Sequence, residues 1–597
     1  MSGPGHRFEK RWTVRSADPD RIRTLLAETH NYPEPLTPIA ARLLVSRGIN
    51  TPQKVTAFLS PLLRTGLRSP MLFPDMQRAT DRLLRAKDQG EQVCIWGDYD
   101  VDGVTGSSQL VLFLREIGMD PVLYIPHRIH EGYGLNTPAI EKLAADGTKV
   151  MVTADCGASG HTQIARAQQL GIDVIVCDHH HVPDEKLPAY AVLNPLEKDC
   201  PFSFSGLSGA GVVFYLLMGL RMRLRKRGMQ PVPDLRRYLD LVCLGTVADL
   251  VPLVEENRVL VTYGLKQIEN SQRPGICALK AVSGDSDVTA SYIGFRLGPR
   301  INAGGRLAEA QKAVELLTTT DAERARFIAA ELDEENIARR AIEEKILTQA
   351  IGMAEAQLDQ GGQGEQGGKN GQSERYSLVL ASSDWHPGVI GIVASRLVER
   401  FGRPTILIAI DGDKGKGSGR SPKPFHLYEG LKACGDLLVG YGGHRPAAGL
   451  SIRAEAIPVF ADQFEAVARQ RLTSDDLVPV VEYDTELDVG RLRPEVLAEL
   501  RRLEPYGQGN PEPVFRASQA EVVTCGVVGD QSQGKAGHLK LVLRSPDGGS
   551  PVDAIGFGMG DRDITARQTV DVLYTPGINV WNGNASLQLR LRDIKGY

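Results

Sequence analysis

Carboxylates and imidazoles stand at the ends of successive apolar runs through the first half of this sequence, and that placement narrows the folds open to it. Val93-Cys94-Ile95-Trp96 is followed by Gly97-Asp98-Tyr99-Asp100-Val101-Asp102-Gly103. Lys149–Ala154 ends in Asp155-Cys156-Gly157, and Val174–Cys177 ends in Asp178-His179-His180-His181. Leu239–Leu244 leads through Gly245-Thr246-Val247-Ala248 to Asp249, which is expected at an equivalent strand end. Amphipathic segments near 105–117, 137–146 and 160–170 separate strands expected at 93–96, 121–125, 149–154 and 172–177. This alternation predicts a parallel, doubly wound sheet. Ligands of such sheets lie beyond the carboxyl ends of the strands, where these acids fall.

Hard oxygen donors mixed with imidazole favour Mn²⁺, Mg²⁺ or Zn²⁺ over a thiolate-held structural zinc. If Asp98, Asp100 and Asp102 stay extended, all three carboxylates face one side and repel one another unless cations neutralise them. The alternative is a polar turn with an Asp-capped helix starting at Asp102-Gly103. Neighbours in an extended segment point oppositely. His179 and His180 are therefore expected to divide the work, one as ligand and one facing a substrate phosphate, with His181 a bystander.

At 597 residues the chain is too long for one core, and three or four domains are expected. The net charge of −4 excludes nucleic-acid binding by bulk charge, so any such binding rests on local patches. One patch is Arg221–Arg227, which reads equally well as a solvated helix end. Another is Lys414, Lys416, Arg420 and Lys423, in what reads as a Gly/Ser/Pro-rich loop. The eight cysteines form no CxxC pair and fit a reducing compartment. With no signal-peptide pattern and no membrane-length apolar run, the expected location is the cytoplasm.

The expected organisation is an N-terminal extension over 1–75, a metal-binding catalytic domain over 76–319 and a connecting helix over 320–358. A Gly/Gln-rich disordered loop over 359–373 follows, then a substrate-binding domain over 374–478 and a β-barrel over 479–597. Short strands expected at 520–524, 538–543, 552–555 and 587–591 favour an OB-fold for the last. Gly209-Ala210-Gly211 lacks the third glycine of a dinucleotide fingerprint and reads as a helix start.

Four segments resemble the metal motifs of the DHH phosphoesterase superfamily: Gly-Asp-Tyr-Asp-Val-Asp-Gly (97–103), Ala-Asp-Cys-Gly (154–157), Asp-His-His (178–180) and Gly-Thr-Val-Ala-Asp (245–249). Five more narrow the resemblance to the RecJ family of single-strand-specific DNA exonucleases over about residues 70–597. They are Leu-Gly-Pro-Arg-Ile-Asn-Ala-Gly-Gly-Arg (297–306), Trp385–Leu397, Lys-Gly-Ser-Gly-Arg-Ser (416–421), Gly-Gly-His-Arg-Pro-Ala-Ala-Gly (442–449) and Leu503–Phe515. Gly304 and the Gly/Gln tract depart from the family pattern.

The resemblance implies a multidomain α/β protein: a parallel-sheet DHH domain, the long helix, a DHHA1-like α/β domain and an OB-like barrel. It implies metal-dependent 5′-to-3′ digestion of single-stranded DNA to mononucleotides, in DNA repair and recombination, with two Mn²⁺ or Mg²⁺ ions. By motif, Asp155 would bridge both ions, Asp102, His179 and Asp249 would hold one, and Asp98 and Asp100 the other or its water shell. His180 would contact the scissile phosphate, and Arg306 matches a phosphate-binding arginine. Arg128, Ser418 and Arg420 match a 5′-phosphate pocket, with Gly417 and Gly419 admitting the phosphate to the backbone. His444 matches a substrate-facing loop. A monomer, with a helicase and a single-strand-binding protein as partners, is the expected context.

Tyr133, Trp385 and Tyr441 are candidates for base stacking, Trp385 reading equally well as core. Two other functions compete. Another phosphoesterase, such as an oligoribonuclease or a cyclic-dinucleotide or pyrophosphate hydrolase, needs only the two catalytic domains, whereas this chain is longer. A non-catalytic single-strand-binding scaffold is expected to lose ligands, yet every acidic and histidine position of the motifs is filled.

Overall fold

Strands covered on both faces must be apolar throughout, and their side chains must alternate between two cores. Gln92–Gly97 does this: Val93 and Ile95 enter one buried cluster, Cys94 and Trp96 another. The computed structural model describes residues 10–128, 131–307, 310–360, 375–529, 537–581 and 584–596. Its first sheet is five-stranded and wholly parallel, in the order Val122–Tyr124, Gln92–Gly97, Thr148–Ala154, Asp173–Cys177, Ala191–Leu193. Helices Val101–Glu116 and Gly209–Lys226 share the core of one face. Helices Thr137–Ala145 and His161–Gln169 share the core of the other.

For this domain one open alternative is decided and one expectation is corrected. Asp98–Asp102 does not stay extended: Asp100 caps the helix beginning at Val101, its carboxylate accepting from the backbone N–H groups of Asp102 and Gly103. Leu239–Ala248 is a helix, so Asp249 follows a helix end instead of a strand end. Its residues from Leu239 to Val247 are all buried, and a helix apolar all round has no 3.6-residue stripe to reveal it.

The Ala322–Gln360 helix spans 39 residues, about 58 Å at 1.5 Å per residue. Ala325, Ile328, Ala329 and Leu332 pack into the first domain, and Ile346, Ala350 and Ala354 into the second. Most of the Gly/Gln tract expected at 359–373 lies outside the described residues, and Asp359 and Gln360 still belong to the helix. Trp385 is buried beside Ile346, and its indole N–H donates to Gln349 Oε1 at 2.9 Å, so it is core and unavailable for stacking.

The second sheet runs Leu438–Gly443, Ala447–Arg453, Lys414–Arg420, Thr405–Asp411, Leu378–Ser382, with only the last pair parallel. Lys414–Arg420 is thus a central strand and not a loop. Its alternating glycines are buried: a Cβ at Gly417 would stand 2.7 Å from Leu450, and one at Gly419 3.0 Å from Leu427. These glycines admit the core, not a phosphate.

In the C-terminal region, Phe515–Val528, His538–Arg544, Val552–Gly556, Asn584–Gly596 and Thr569–Trp581 pair in that order. The last strand returns to pair with the first, closing a five-stranded barrel. The N-terminal segment joins it: Arg11–Val14 pairs in parallel with Val480–Tyr483. Leu25, Leu43, Leu44, Val55 and Phe58 from three short helices share one core with Phe515, Leu541 and Tyr574. Leu44→Ala, in a fully buried site, should destabilise this shared unit by about 2–5 kcal/mol. Chemical denaturation followed by a barrel-specific probe checks it, and loss confined to the N-terminal helices would contradict a common core.

Candidate metal centre

Five backbone devices bring the acids together. A Cβ at Gly103 would lie 2.5 Å from the Asp98 backbone, so only glycine lets the helix start turn tightly over Asp98. Asp155 adopts φ +65°, a conformation that costs a non-glycine residue about 1–3 kcal/mol and persists where its surroundings impose it. Gly209 packs against it, where a Cβ would stand 2.5 Å from the Asp155 Cβ. The Gly209–Lys226 helix then aims its N-terminus at Asp102: the Gly209 and Ala210 N–H groups donate to the two carboxylate oxygens at 2.5 and 3.0 Å. Gly245 completes the approach, its Cβ position being 2.5 Å from Asp102 Oδ1.

The resulting donors form three overlapping groups, each with its ligand atoms within 4.8 Å of one another: Asp98-Asp100-Asp155, Asp102-His179-Asp249 and Asp155-His179-His180. His179 Nε2 lies 3.2 Å from Asp155 Oδ1, 3.4 Å from Asp249 Oδ2 and 3.9 Å from Asp102 Oδ2. Asp155 is common to two of the groups and touches both ends of the cluster.

Electrostatically this arrangement asks for positive charge. Burial, reinforced by neighbouring carboxylates, pushes Asp98 and Asp155 well above the ordinary carboxylate range. The same causes push Asp102 up to about 7 and Asp249 up to about 9. Burial, with His180 next, pulls His179 down to about 4, which keeps its imidazole neutral and a lone pair free. Asp98 Oδ1, Asp155 Oδ1 and His179 Nε2 are buried without a hydrogen bond. Three orphaned lone pairs among crowded carboxylates fit divalent cations with mixed oxygen and nitrogen ligands.

His180 is held differently. Its Nδ1 lies 2.8 Å from Asp178 Oδ1 and 3.1 Å from the Tyr133 hydroxyl. Burial is the largest single influence and opposes charge on this ring, but the Asp178 hydrogen bond and the charges of Asp178, Asp249 and Asp102 together exceed it and hold His180 up at about 9. Asp178 also accepts from the Ala158, His179 and His180 backbone N–H groups, which fixes the direction of both imidazoles. Tyr133 packs edge-on to His180 and keeps about half of its surface exposed (49%). Sequence reasoning missed Asp178 as the orienting partner and Gly209-Ala210 as the cradle of Asp102. His181 is exposed, as a bystander would be.

The second cluster spans both domains. Arg420 Nη1 donates to Ser418 Oγ at 3.2 Å, and both residues face Gly391, whose Cβ would lie 2.8 Å from Ser418 Oγ. Arg128, from the first domain, stacks over Tyr99 with its guanidinium carbon 4.9 Å from the ring centre. Burial pulls Arg420 below its ordinary value, and the charge of Arg128 adds to it, so two cations converge where an anion would relieve both. Arg306 lies in the Gly298–Leu307 helix, its side chain outside the described residues. His444 is exposed in the turn between Leu438–Gly443 and Ala447–Arg453, and Tyr441 on the first of these strands packs against Tyr428 with ring centres 5.9 Å apart.

Comparison with known proteins agrees with this division. Residues 92–246 match the DHH family N-terminal domain, 375–470 the DHHA1 domain and 483–593 the RecJ OB domain. The single-stranded-DNA-specific exonuclease RecJ of Escherichia coli is 36% identical over 95% of this chain and 97% of its own length. The Bacillus subtilis protein of the same name is 35% identical over 98% of this chain and 70% of its own. The chain belongs to the RecJ family. The crystal structure of Thermus thermophilus RecJ with Mn²⁺ superposes with a TM-score of 0.80 at 32% identity, covering 98% of this chain and 79% of that one. A Mg²⁺ complex of the same RecJ superposes at 0.72, with 31% identity over 98% of this chain and 78% of that one. Both bound ions are among those the donor set here selects. Among the described residues, no helix is long and apolar enough to cross a membrane.

Asp102 and Asp249 hold protons in the folded chain far above the value of 3.8 they have when unfolded. The folded state then binds more protons than the unfolded one, so the slope of stability against pH is negative. In EDTA, stability should fall as pH rises from about 4 through about 9, and saturating Mg²⁺ should abolish most of that fall. Denaturant titrations across this range, with and without Mg²⁺, measure it; a metal-independent profile would refute the reading.

Proposed function

We propose that this RecJ-family enzyme digests single-stranded DNA from the 5′ end to 5′-mononucleotides, using two divalent cations, Mn²⁺ or Mg²⁺. Asp155 would be shared between them, Asp102, His179 and Asp249 would hold one, and Asp98 and Asp100 the other or its water shell. The observation that carries this is the membership of Asp155 in two of the three donor groups, with His179 linking the third, and an Asp155 Oδ1 buried without a hydrogen-bond partner. When bound, such a pair would lower the pKa of a coordinated water and stabilise the charge that builds on the leaving oxygen.

The chain's own residues supply the rest. Asp178 commits His180 Nδ1, so the ring presents Nε2 to the scissile phosphate as a charged donor at neutral pH. Arg128, Ser418 and Arg420 bind the terminal 5′-phosphate, assisted by Arg306 and His444 along the strand. Arginine suits this role because its planar fork donates paired hydrogen bonds and stays charged. Polarity follows from geometry: a strand held by its 5′-phosphate offers the metals the bond one nucleotide in. The barrel receives the single strand behind it, which excludes duplex by width without reading base edges. A reducing cytoplasm suits the chain, since all eight cysteines are free.

The deciding experiment is a time course on 5′- or 3′-end-labelled single-stranded and duplex DNA with Mn²⁺, Mg²⁺ or EDTA. Immediate release of labelled mononucleotide from 5′ ends of single strands, lost in EDTA, is expected; release from 3′ ends first would overturn the polarity. Asp155→Ala should reduce hydrolysis to background while DNA binding persists, and near-normal turnover would exclude a shared ligand. Arg420→Ala should raise KM about 10–100-fold for 5′-phosphorylated ends, the loss of one charged hydrogen-bonding partner. An equal effect on 5′-hydroxyl ends would remove the pocket.

A further inference from the structure

Leu250, immediately after Asp249, adopts φ +61° although it is not glycine and its side chain is largely exposed. A strained residue of this kind persists only where the chain beyond it is pinned. The pin comes from the far end of the sequence. The Leu253 N–H donates to the Gln508 carbonyl at 2.7 Å, and Gly507 and Asn510 close a tight turn through reciprocal backbone hydrogen bonds of 2.9 and 3.1 Å. The turn lies flat on Pro252–Val254 because it carries glycines: a Cβ at Gly507 would stand 2.6 Å from Leu253 Cδ1. One at Gly509, where φ is +75°, would stand 3.1 Å from Pro252.

The turn is itself anchored. Asn510 is fully buried, donating to the Leu503 and Pro505 carbonyls at 2.7 and 2.9 Å. Arg258 is buried and donates to the Phe58 carbonyl of the N-terminal helices at 2.6 Å and to the Glu504 carbonyl at 2.7 Å. Three regions that are distant in sequence thus meet behind the segment that carries Asp249.

We propose that the Leu503–Asn510 turn, locked by Arg258, is a positioning element for Asp249, so that the barrel and the N-terminal helices set the affinity of one metal site. This rests on reading Asp249 as a ligand. Groups that hold a metal ligand in place typically account for 10–100-fold in metal affinity. Arg258 and Gly509 touch neither substrate nor metal.

Mn²⁺ titration by calorimetry and by electron paramagnetic resonance of free Mn²⁺, on the full chain, tests the proposal in Gly509→Ala, Arg258→Lys and Asp249→Asn. Gly509→Ala and Arg258→Lys should each weaken one of two Mn²⁺ sites by about 10–100-fold. Melting in EDTA should drop while the fold and DNA binding are retained, and kcat should recover at high Mn²⁺. Asp249→Asn should lose the same site outright. If it does while the other two variants bind Mn²⁺ like wild type, the positioning role is wrong and the ligand assignment stands. If Asp249→Asn keeps both sites, the ligand assignment fails and the proposal with it. Should Gly509→Ala not fold, Arg258→Lys decides alone, and recovery of kcat at high Mn²⁺ separates lost positioning from general damage.

Discussion

Five aspartates and an imidazole share one water-poor space, and their mutual repulsion is the constraint on which the rest of the structure depends. Asp155 is the extreme case, raised by burial and by four neighbouring aspartates in turn. Nothing in an apolar core stabilises such a group. The fold instead surrounds it with backbone dipoles, glycines and a neutral histidine, and leaves the net charge to be balanced by cations. The helix N-terminus at Gly209 offsets part of the charge on Asp102 through two N–H donors. His179 stays neutral because burial outweighs its attraction to the acids.

Close approach is the second requirement, and it explains the glycines. Gly103, Gly209 and Gly245 each sit where a Cβ would collide with Asp98, Asp155 or Asp102. They draw helices against the carboxylates, so each acid is fixed from behind while its lone pairs point inward. The two histidines of Asp-His-His then separate cleanly: Asp178 fixes His180 as a charged donor, and His179 faces the acids. The basic cluster uses the opposite logic, converging Arg128 and Arg420 from two domains so that a bound anion relieves both.

The long helix and the interleaved termini give this centre its setting. One helix enters two cores and so sets the reach between the acidic and basic clusters. The N-terminal helices and the barrel share a core, which makes the ends of the chain one unit placed against the segment that follows Asp249. The site is therefore braced by chain separated from it by about half the sequence.

The parallel sheet, the acids and imidazoles that gather at the candidate centre and the order of the domains could all be read from the sequence. Short apolar runs, the acids at their ends and the order of the motifs are properties of the chain that survive without coordinates. Tertiary structure decided what local pattern cannot carry. Leu239–Ala248 was indistinguishable from a strand because a helix buried on every side shows no stripe. Gly417 and Gly419 read as phosphate contacts until neighbouring strands showed them facing Leu450 and Leu427. Trp385 read as core or as a stacking platform, and only its place beside the long helix settled it. The cradling of Asp102 by Gly209 and Ala210 joins residues more than a hundred positions apart. Such contacts are set by how helices pack around a buried charge, and no window of sequence contains both partners.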